Sequence, residues 1–432
     1  MKEIHDMETS NETHKKLTSN ETHKKFNHKT HTKVKNETYA KVSTFVALLK
    51  ACTKKKDLYG GRKIHHEIMQ IGLLGRSPHL ASALIHMYAR CGMLGNAHQV
   101  LEELLVRDVV SWSSLISGYT QQNQGEKALK CFQQMQNEGL SPDVVTLTCV
   151  LKACGSIRAT DKGKQIHDEI VRNGLLEKDI MLGNALVHMY VKCGLLTRAG
   201  QVLRELPSRN VVTWNTLLAG YAEEAQGYEA LNYYECMQNE GVSPNEITFI
   251  CVLKACGKLG SVEKGKEIHE EIARRGFLRS DAVLGNALVD MYAKCGMFTK
   301  AQEVLKQLPI RNTVTWNVLI SGYTQQGQGH EAIISFEQMQ RDGVSPDVVT
   351  FISILKACGK TGDVDKGNQI CDAIWSRGLL ENNIALGNAL VDMYAKCGLL
   401  RNAKKVLKQL HLRNVISWNT IIAGYAECGQ GH

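Results

Sequence analysis

Residues 109–143 read VVSWSSLISGYTQQNQGEKALKCFQQMQNEGLSPD, and this stretch decides the fold. Four apolar residues at its start have the i, i+3, i+4, i+7 spacing of one helical face: Trp112, Leu115, Ile116 and Tyr119. A second apolar helical face follows over residues 128–135, and Gly139 with Pro142 just beyond it is a typical helix stop. The stretch therefore predicts a hairpin of two helices.

The same text recurs along the chain with a period of 102 residues. The tryptophans show this period most simply: Trp112, Trp214, Trp316 and Trp418. Helix stops divide each period into hairpins of 36, 31 and 35 residues. The predicted hairpins are 42–77, 78–108, 109–143, 144–179, 180–210, 211–245, 246–281, 282–312, 313–347, 348–383 and 384–414, and residues 415–432 hold the first helix of a truncated twelfth.

A hairpin of this size cannot bury its own apolar face, so neighbouring hairpins must stack on one another. We therefore expect an all-α fold, an α-solenoid that winds as a right-handed superhelix with a concave surface. No alternating pattern of a β-strand interrupts the helical pattern.

The composition excludes several classes of protein. The 432 residues carry a net charge of +9, a mild surplus that is compatible with a polyanionic partner. No apolar run approaches the roughly 18 residues of a membrane span. The cysteines recur in register and never as C-x-x-C, so we expect small buried residues in a reducing compartment, with no metal site and no cofactor.

Residues 1–41 have a different composition, with S-N-E-T-H-K-K at Ser10 and again at Ser19. Such a segment is predicted to be a low-complexity, disordered extension, and a solvated tail is favoured over an adventitious metal-binding one. It lacks arginine and contains acidic residues, so it does not have the pattern of a transit peptide.

Several strings resemble pentatricopeptide repeats: V-V-T-W-N-T-L-L-A-G-Y at 211–221, E-A-L at 229–231 and M-Q-N-E-G-V-S-P-N at 237–245. The alternating lengths of 35, 36 and 31 residues resemble the subclass with P, L and S motifs that is typical of land-plant organelle RNA editing factors. The resemblance covers residues 42–432. It implies single-stranded RNA as the partner, a location in the mitochondrion or plastid, and one nucleotide read by each hairpin.

In that family the fifth and the last residue of a hairpin read the base, and the resemblance carries this role to pairs in the P and S hairpins. Guanine is implied by Ser82 with Asp108 and by Ser113 with Asp143, and uracil by Asn317 with Asp347. Pyrimidines are implied by Asn184 with Asn210, Asn215 with Asn245, Asn286 with Asn312, and Asn388 with Asn414. Thr148 with Asp179 would read guanine, but the other L hairpins have an aliphatic fifth residue, so the L hairpins are treated as spacers. The expected target is 5′-GGxYYxYUxY-3′.

Two further sets complete the expected groove. The second residues Val110, Val212 and Val314 can pack against a base face. Lys50, Lys152, Lys254 and Lys356, at position nine of the L hairpins, would form a basic stripe suited to phosphates, which Asp290 and Asp392 would partly cancel. A structural interpretation stays open for each set, since Asn and Asp cap helices and a lysine can simply be solvated.

An enzyme is not expected. Related editing factors carry a C-terminal cytidine deaminase with H-x-E and P-C-x-x-C strings. Here H-x-E occurs at 65–67, 167–169 and 269–271, repeats with the period, and has no C-x-x-C beside it. We leave open that the chain is truncated or that a deaminase or editing cofactor acts in trans. The alternative function is a protein-binding helical scaffold.

Overall fold

The computed structural model describes residues 39–177, 179–279, 282–381, 383–410 and 413–427. Within these ranges every regular element is a helix, so the predicted all-α class is confirmed. The chain divides between Pro207 and Ser208 into two compact units, which are described one at a time.

The first unit consists of helical hairpins in chain order. We call the first helix of each hairpin the A helix and the second the B helix, so odd numbers are A helices. The helices are α1 (39–55), α2 (Leu58–Ile71), α3 (Pro78–Arg90), α4 (Leu94–Glu102), α5 (Val109–Gln121), α6 (Gly125–Asn137), α7 (Val144–Ser156), α8 (Thr160–Arg172), α9 (Ile180–Lys192) and α10 (Leu196–Glu205). A short 3-10 turn, Leu74–Arg76, follows α2.

The second unit continues the same pattern. Its helices are α11 (Val211–Glu223), α12 (Gly227–Asn239), α13 (Glu246–Leu259), α14 (Val262–Arg274), α15 (Ala282–Lys294), α16 (Phe298–Gln307), α17 (Thr313–Gln325), α18 (Gly329–Arg341), α19 (Val348–Thr361), α20 (Val364–Ser376), α21 (Ile384–Lys396), α22 (Leu400–Gln409) and α23 (Val415–Glu427). A 3-10 turn, Phe277–Arg279, follows α14.

The apolar faces predicted from the helical spacing form the core. In α5, Trp112, Leu115, Ile116 and Tyr119 are buried, and Phe132 of α6 is fully buried against them. From α3 onward within each unit, successive A helices pack directly on one another, as α3 on α5 and α17 on α19, while each B helix packs on the A helix of its own hairpin. Stacking thus covers the face that one hairpin leaves open, which is the α-solenoid arrangement.

Small residues let neighbouring A helices approach closely. A Cβ atom at Gly118 of α5 would lie 2.6 Å from the Cβ of Ala89 in α3, so a larger residue there would push the two helices apart. The recurring cysteines of the L-K-A-C strings have the same role, because Cys154, Cys256 and Cys358 are fully buried. Burial raises the pKa of each of these thiols to about 12, as expected for packing residues.

The prediction for residues 1–41 falls mainly outside the described residues. Residues 39–41 are helical, and the Thr44 hydroxyl donates to the carbonyl of Ala40 at 2.9 Å, so the helix includes residues that were assigned to the extension. None of the helices in the described ranges combines the length and the apolar content needed to cross a membrane.

Candidate functional site

The last residue of most hairpins caps the A helix of the next hairpin. Asp347 Oδ1 accepts the Thr350 backbone N–H at 2.9 Å, and Asn245 Oδ1 accepts the Thr248 N–H at 3.1 Å. Because an amide nitrogen cannot accept, the cap fixes Oδ1 toward the helix. The second terminal atom is left for another partner, and it is an acceptor (Oδ2) in Asp347 but a donor (Nδ2) in Asn245. Capping therefore does not exclude base recognition, since the two roles use different atoms.

The structure brings the fifth and last residues together in four of the predicted pairs. Asn215 Nδ2 donates to Asn245 Oδ1 at 2.9 Å, and Asn317 Nδ2 donates to Asp347 Oδ1 at the same distance. The two longer contacts, each 3.4 Å, join Asn388 to Asn414 and Ser113 to Asp143. These residues are 26 to 30 positions apart in the chain, so hairpin closure creates the pair.

The remaining predicted pairs differ from these four. Ser82 Oγ lies 3.2 Å from Ser111 Oγ, and Ser111 donates to Asp108 Oδ1 at 2.6 Å, so a third residue links this pair. Within the described part of the chain no hydrogen bond joins Thr148 to Asp179, or Asn286 to Asn312. The Oδ1 atom of Asn286 is buried without a partner. Asn184 and Asn210 lie in different units, and Asp281, the last residue of an L hairpin, lies outside the described residues.

The fifth residues are less exposed than the sequence pattern led us to expect. Five of them, Ser82, Ser113, Thr148, Asn215 and Asn317, are only 6 to 9% exposed, while Asn184, Asn286 and Asn388 are half-buried. They lie between adjacent A helices and present only an edge to solvent. The last residues are more accessible, and Asp143 and Asp347 are exposed. A base would therefore contact mainly the last residue and the edge of the fifth.

The second residues of the hairpins form an exposed apolar stripe within each of the two units. Val110, Val212 and Val314 are 50 to 55% exposed, as packing against a base face requires. The same position is equally exposed in L and S hairpins, although only the P hairpins were predicted to contribute: Val145, Met181, Ile247, Val283 and Val349. Taking the second residue of every predicted hairpin, rather than of the P hairpins alone, would have identified these positions from the sequence.

The predicted basic stripe is only partly free of partners. Lys50, Lys152 and Lys356 are exposed, while Lys254 lies 3.9 Å from Glu223. The acidic residues at the same position pair within their own helices, Asp290 with Lys294 at 2.6 Å and Asp392 with Lys396 at 2.7 Å. These local pairs neutralise the acids, so they weaken the stripe less than expected.

Asp347 is held in its charged form. Partial burial opposes its ionisation, but hydrogen bonds from the Thr350 N–H and the Asn317 amide outweigh that cost, so the pKa of Asp347 is lowered. A deprotonated carboxylate can only accept hydrogen bonds.

The histidines of the H-x-E strings have structural partners. His65, His167 and His269 contact the hydroxyls of Tyr88, Tyr190 and Tyr292, in each case at 2.9 to 3.0 Å. Burial lowers the pKa of all three imidazoles. Among the residues that the structure describes, no three His, Cys, Asp or Glu side chains are grouped as metal ligands.

One set of polar residues was not predicted at all. The third residue of several hairpins is a buried Ser or Thr whose hydroxyl contacts the fifth residue of the hairpin before it, as Thr248 contacts Asn215 at 2.7 Å. The S hairpins have leucine at this position: Leu80, Leu182, Leu284 and Leu386. The alternation between a hydroxyl residue and leucine is visible in the sequence, but the contact of the hydroxyl with the fifth residue of the preceding hairpin is not.

Family models match most of the repeated region. The PPR repeat family model matches residues 107–156, 209–258 and 311–360. The PPR repeat model matches residues 81–109, 184–211, 247–277, 286–312, 349–379, 388–415 and 416–432.

Two Arabidopsis thaliana relatives are named as pentatricopeptide repeat-containing proteins. The chloroplastic one is 33% identical over 89% of this chain and 62% of its own length, and the mitochondrial one is 33% identical over 89% and 55%. The chain thus spans less than two thirds of these relatives.

Solved structures share the fold. The pentatricopeptide repeat protein PPR10 in complex with an 18-nt psaJ RNA element matches with a TM-score of 0.67 at 21% identity, over 83% of this chain and 54% of that one. Yeast Rmd9p in complex with a 16-nt target RNA matches with a TM-score of 0.51 at 11% identity, over 91% and 94%.

Proposed function

Because the chain belongs to the pentatricopeptide repeat family, we propose that it binds single-stranded RNA in a sequence-specific manner, with one base read by each P and S hairpin. Two structures with the same fold, PPR10 and Rmd9p, are complexes with RNA. That similarity supports the ligand class, and the choice of base must come from this chain's own residues.

One observation carries the proposal: the cap leaves either a donor or an acceptor at the last residue. In Asp347 the remaining atom is an acceptor, which suits the ring N–H of uracil or guanine. In Asn245 it is a donor, which suits the ring nitrogen acceptor of cytosine. The adjacent fifth residue, Asn317 or Asn215, offers its exposed edge to the same base. This favours U at hairpin 313–347 and C at hairpin 211–245.

The apolar second residues and the lysines contribute to RNA affinity without distinguishing one base from another. The stripe of second residues gives each base an apolar surface, and base stacking of this kind contributes about 1–3 kcal/mol per base. Seven reading hairpins would nominally give about 7–21 kcal/mol, whose upper end reaches the limit of roughly 18–21 kcal/mol for non-covalent binding. A subset of hairpins therefore dominates. Lys50, Lys152 and Lys356 attract the phosphates.

An electrophoretic shift assay tests the proposal. The full chain is titrated with 5′-GGxYYxYUxY-3′, with its complement and with a shuffled RNA of equal composition. We expect the first RNA to bind at least tenfold more tightly than the other two. Equal binding of all three would remove the claim of sequence specificity, and binding of none would favour the protein-scaffold alternative.

We propose organelle RNA editing as the outcome of binding. The P, L and S alternation suits a factor that directs organelle RNA editing, with the deaminase or editing cofactor supplied in trans. The chloroplastic and mitochondrial relatives support a plastid or mitochondrial location. Crosslinking followed by RNA sequencing in the organelle fraction identifies the bound transcripts, and bound sites that lie beside no edited cytidine would contradict the editing role.

A further inference from the structure

A buried hydroxyl contacts the fifth residue in three of the recognition pairs. Thr248, Thr350 and Ser417 are the third residues of their hairpins and are completely buried. Each approaches Oδ1 of the fifth residue of the hairpin before it: Thr248 to Asn215 at 2.7 Å, Thr350 to Asn317 at 2.5 Å, and Ser417 to Asn388 at 2.6 Å. The contact therefore recurs whether the last residue of the pair is Asn, as in Asn245 and Asn414, or Asp, as in Asp347.

The neighbouring hydrogen bonds decide the direction of this contact. The backbone N–H of Asp347 donates to Thr350 Oγ1 at 3.1 Å, so the Thr350 oxygen already acts as an acceptor. Its single proton has two acceptors within reach, Asn317 Oδ1 at 2.5 Å and Asp347 Oδ1 at 2.9 Å, and the shorter contact takes it. The Asn317 oxygen thus faces the hydroxyl, and its amide nitrogen faces Asp347.

No such hydroxyl is placed against the fifth residues of the L hairpins. They are followed by S hairpins, whose third residues Leu80, Leu182, Leu284 and Leu386 are fully buried and apolar. Leucine fits the aliphatic fifth residues Ile250 and Ile352, but it offers nothing to Thr148, the one polar fifth residue of an L hairpin. A third residue with a hydroxyl therefore follows the P and S hairpins that are proposed to read a base, and a third-residue leucine follows the L hairpins that are treated as spacers.

We propose that this hydroxyl is a specificity-determining positioning residue: the third residue of one hairpin fixes the amide orientation of the fifth residue in the hairpin before it. The proposal rests on the proposed RNA-binding function. Without the hydroxyl, the buried oxygen of Asn317 has no donor and its amide is held only by the hydrogen bond from Nδ2 to Asp347 Oδ1, so the orientation of the amide is less well fixed and the base preference of that hairpin is weakened. The residue contacts no base itself.

Thr350→Val tests the proposal, since valine keeps the shape and removes only the hydroxyl. Selection from randomised RNA with the full chain should show the preference for U over C at the nucleotide of hairpin 313–347 reduced by about fivefold to tenfold, the value of one hydrogen bond. Preferences at the other nucleotides should be unchanged. Thr350→Ser restores the hydroxyl, as Ser417 provides it naturally, and should keep the wild-type preference.

Thr315→Val is the matched control. The Thr315 hydroxyl also contacts a capping residue, Asn312 Oδ1 at 3.0 Å, but in the described residues it makes no hydrogen bond to the fifth residue, Asn286. Thermal melts of the two valine variants, followed by circular dichroism, should show similar small losses of stability. Only Thr350→Val should alter a base preference.

The outcomes separate the two claims. If wild type selects no sequence, the proposed function fails. If wild type prefers U and Thr350→Val keeps that preference, the positioning role is overturned while RNA binding stands. Loss of the preference in Thr350→Ser, or an equal loss at the Asn286 nucleotide in Thr315→Val, would also overturn it, because the effect would then follow capping or packing.

Discussion

Exchanging Asp347 for Asn should change which base hairpin 313–347 prefers, and it should leave the fold intact. Asn245 already shows that an amide makes the same cap, because its Oδ1 accepts from Thr248 N–H at 3.1 Å and from Asn215 Nδ2 at 2.9 Å. Since Asn and Asp are comparable N-caps, we expect the free energy of unfolding to change by less than about 1 kcal/mol. The outer atom changes from an acceptor to a donor.

The size of the switch follows from two hydrogen bonds. Asp347→Asn loses the contact to the uracil ring N–H and gains one to the cytosine ring nitrogen, each with a net value of about 1 kcal/mol. The preference for C over U should then rise by about 2 kcal/mol, or roughly thirtyfold. Selection from randomised RNA with both proteins measures the ratio at each nucleotide. An unchanged base profile, in a variant that melts like wild type, would refute the assignment of base reading to this residue.

Three further changes have defined outcomes. Lys356→Ala should weaken binding equally for all RNA sequences and reduce the slope of log K against log salt by about 0.7, and a sequence-dependent loss would contradict a phosphate contact. Burial lowers the pKa of His167 below its usual 6.5, so the unfolded chain binds the extra proton and the folded state loses stability as the pH falls below about 6.5. His167→Gln should reduce this loss of stability in melts recorded from about pH 7.5 to about pH 5, and an unchanged loss would exclude His167 as its source. Ser335 lines an open cleft of about 320 Å³ beside Trp316, so the ring introduced by Ser335→Tyr should pack in part of this cleft and raise the unfolding free energy by about 1 kcal/mol, whereas a lower melting temperature would show that the cleft cannot hold the ring.

The repeat text alone predicted the helical hairpins and their core. This was possible because helical periodicity and stop signals are local: the spacing of Trp112, Leu115, Ile116 and Tyr119 defines a buried face without reference to any other part of the chain. The resemblance to a known family added the positions at which a base would be read. It did not indicate how far each of these side chains is exposed.

The sequence by itself determined the period, the hairpins and which residues are polar at the fifth and last positions. Only the tertiary structure decided that the fifth residues are mostly buried, that capping fixes one atom of the last residue, and that Thr350 contacts Asn317 across 33 positions. The physical reason is the range of the interactions. Helix formation depends on neighbours within one turn, whereas the direction of a buried amide depends on which hydroxyl the stacking of the next hairpin places against it.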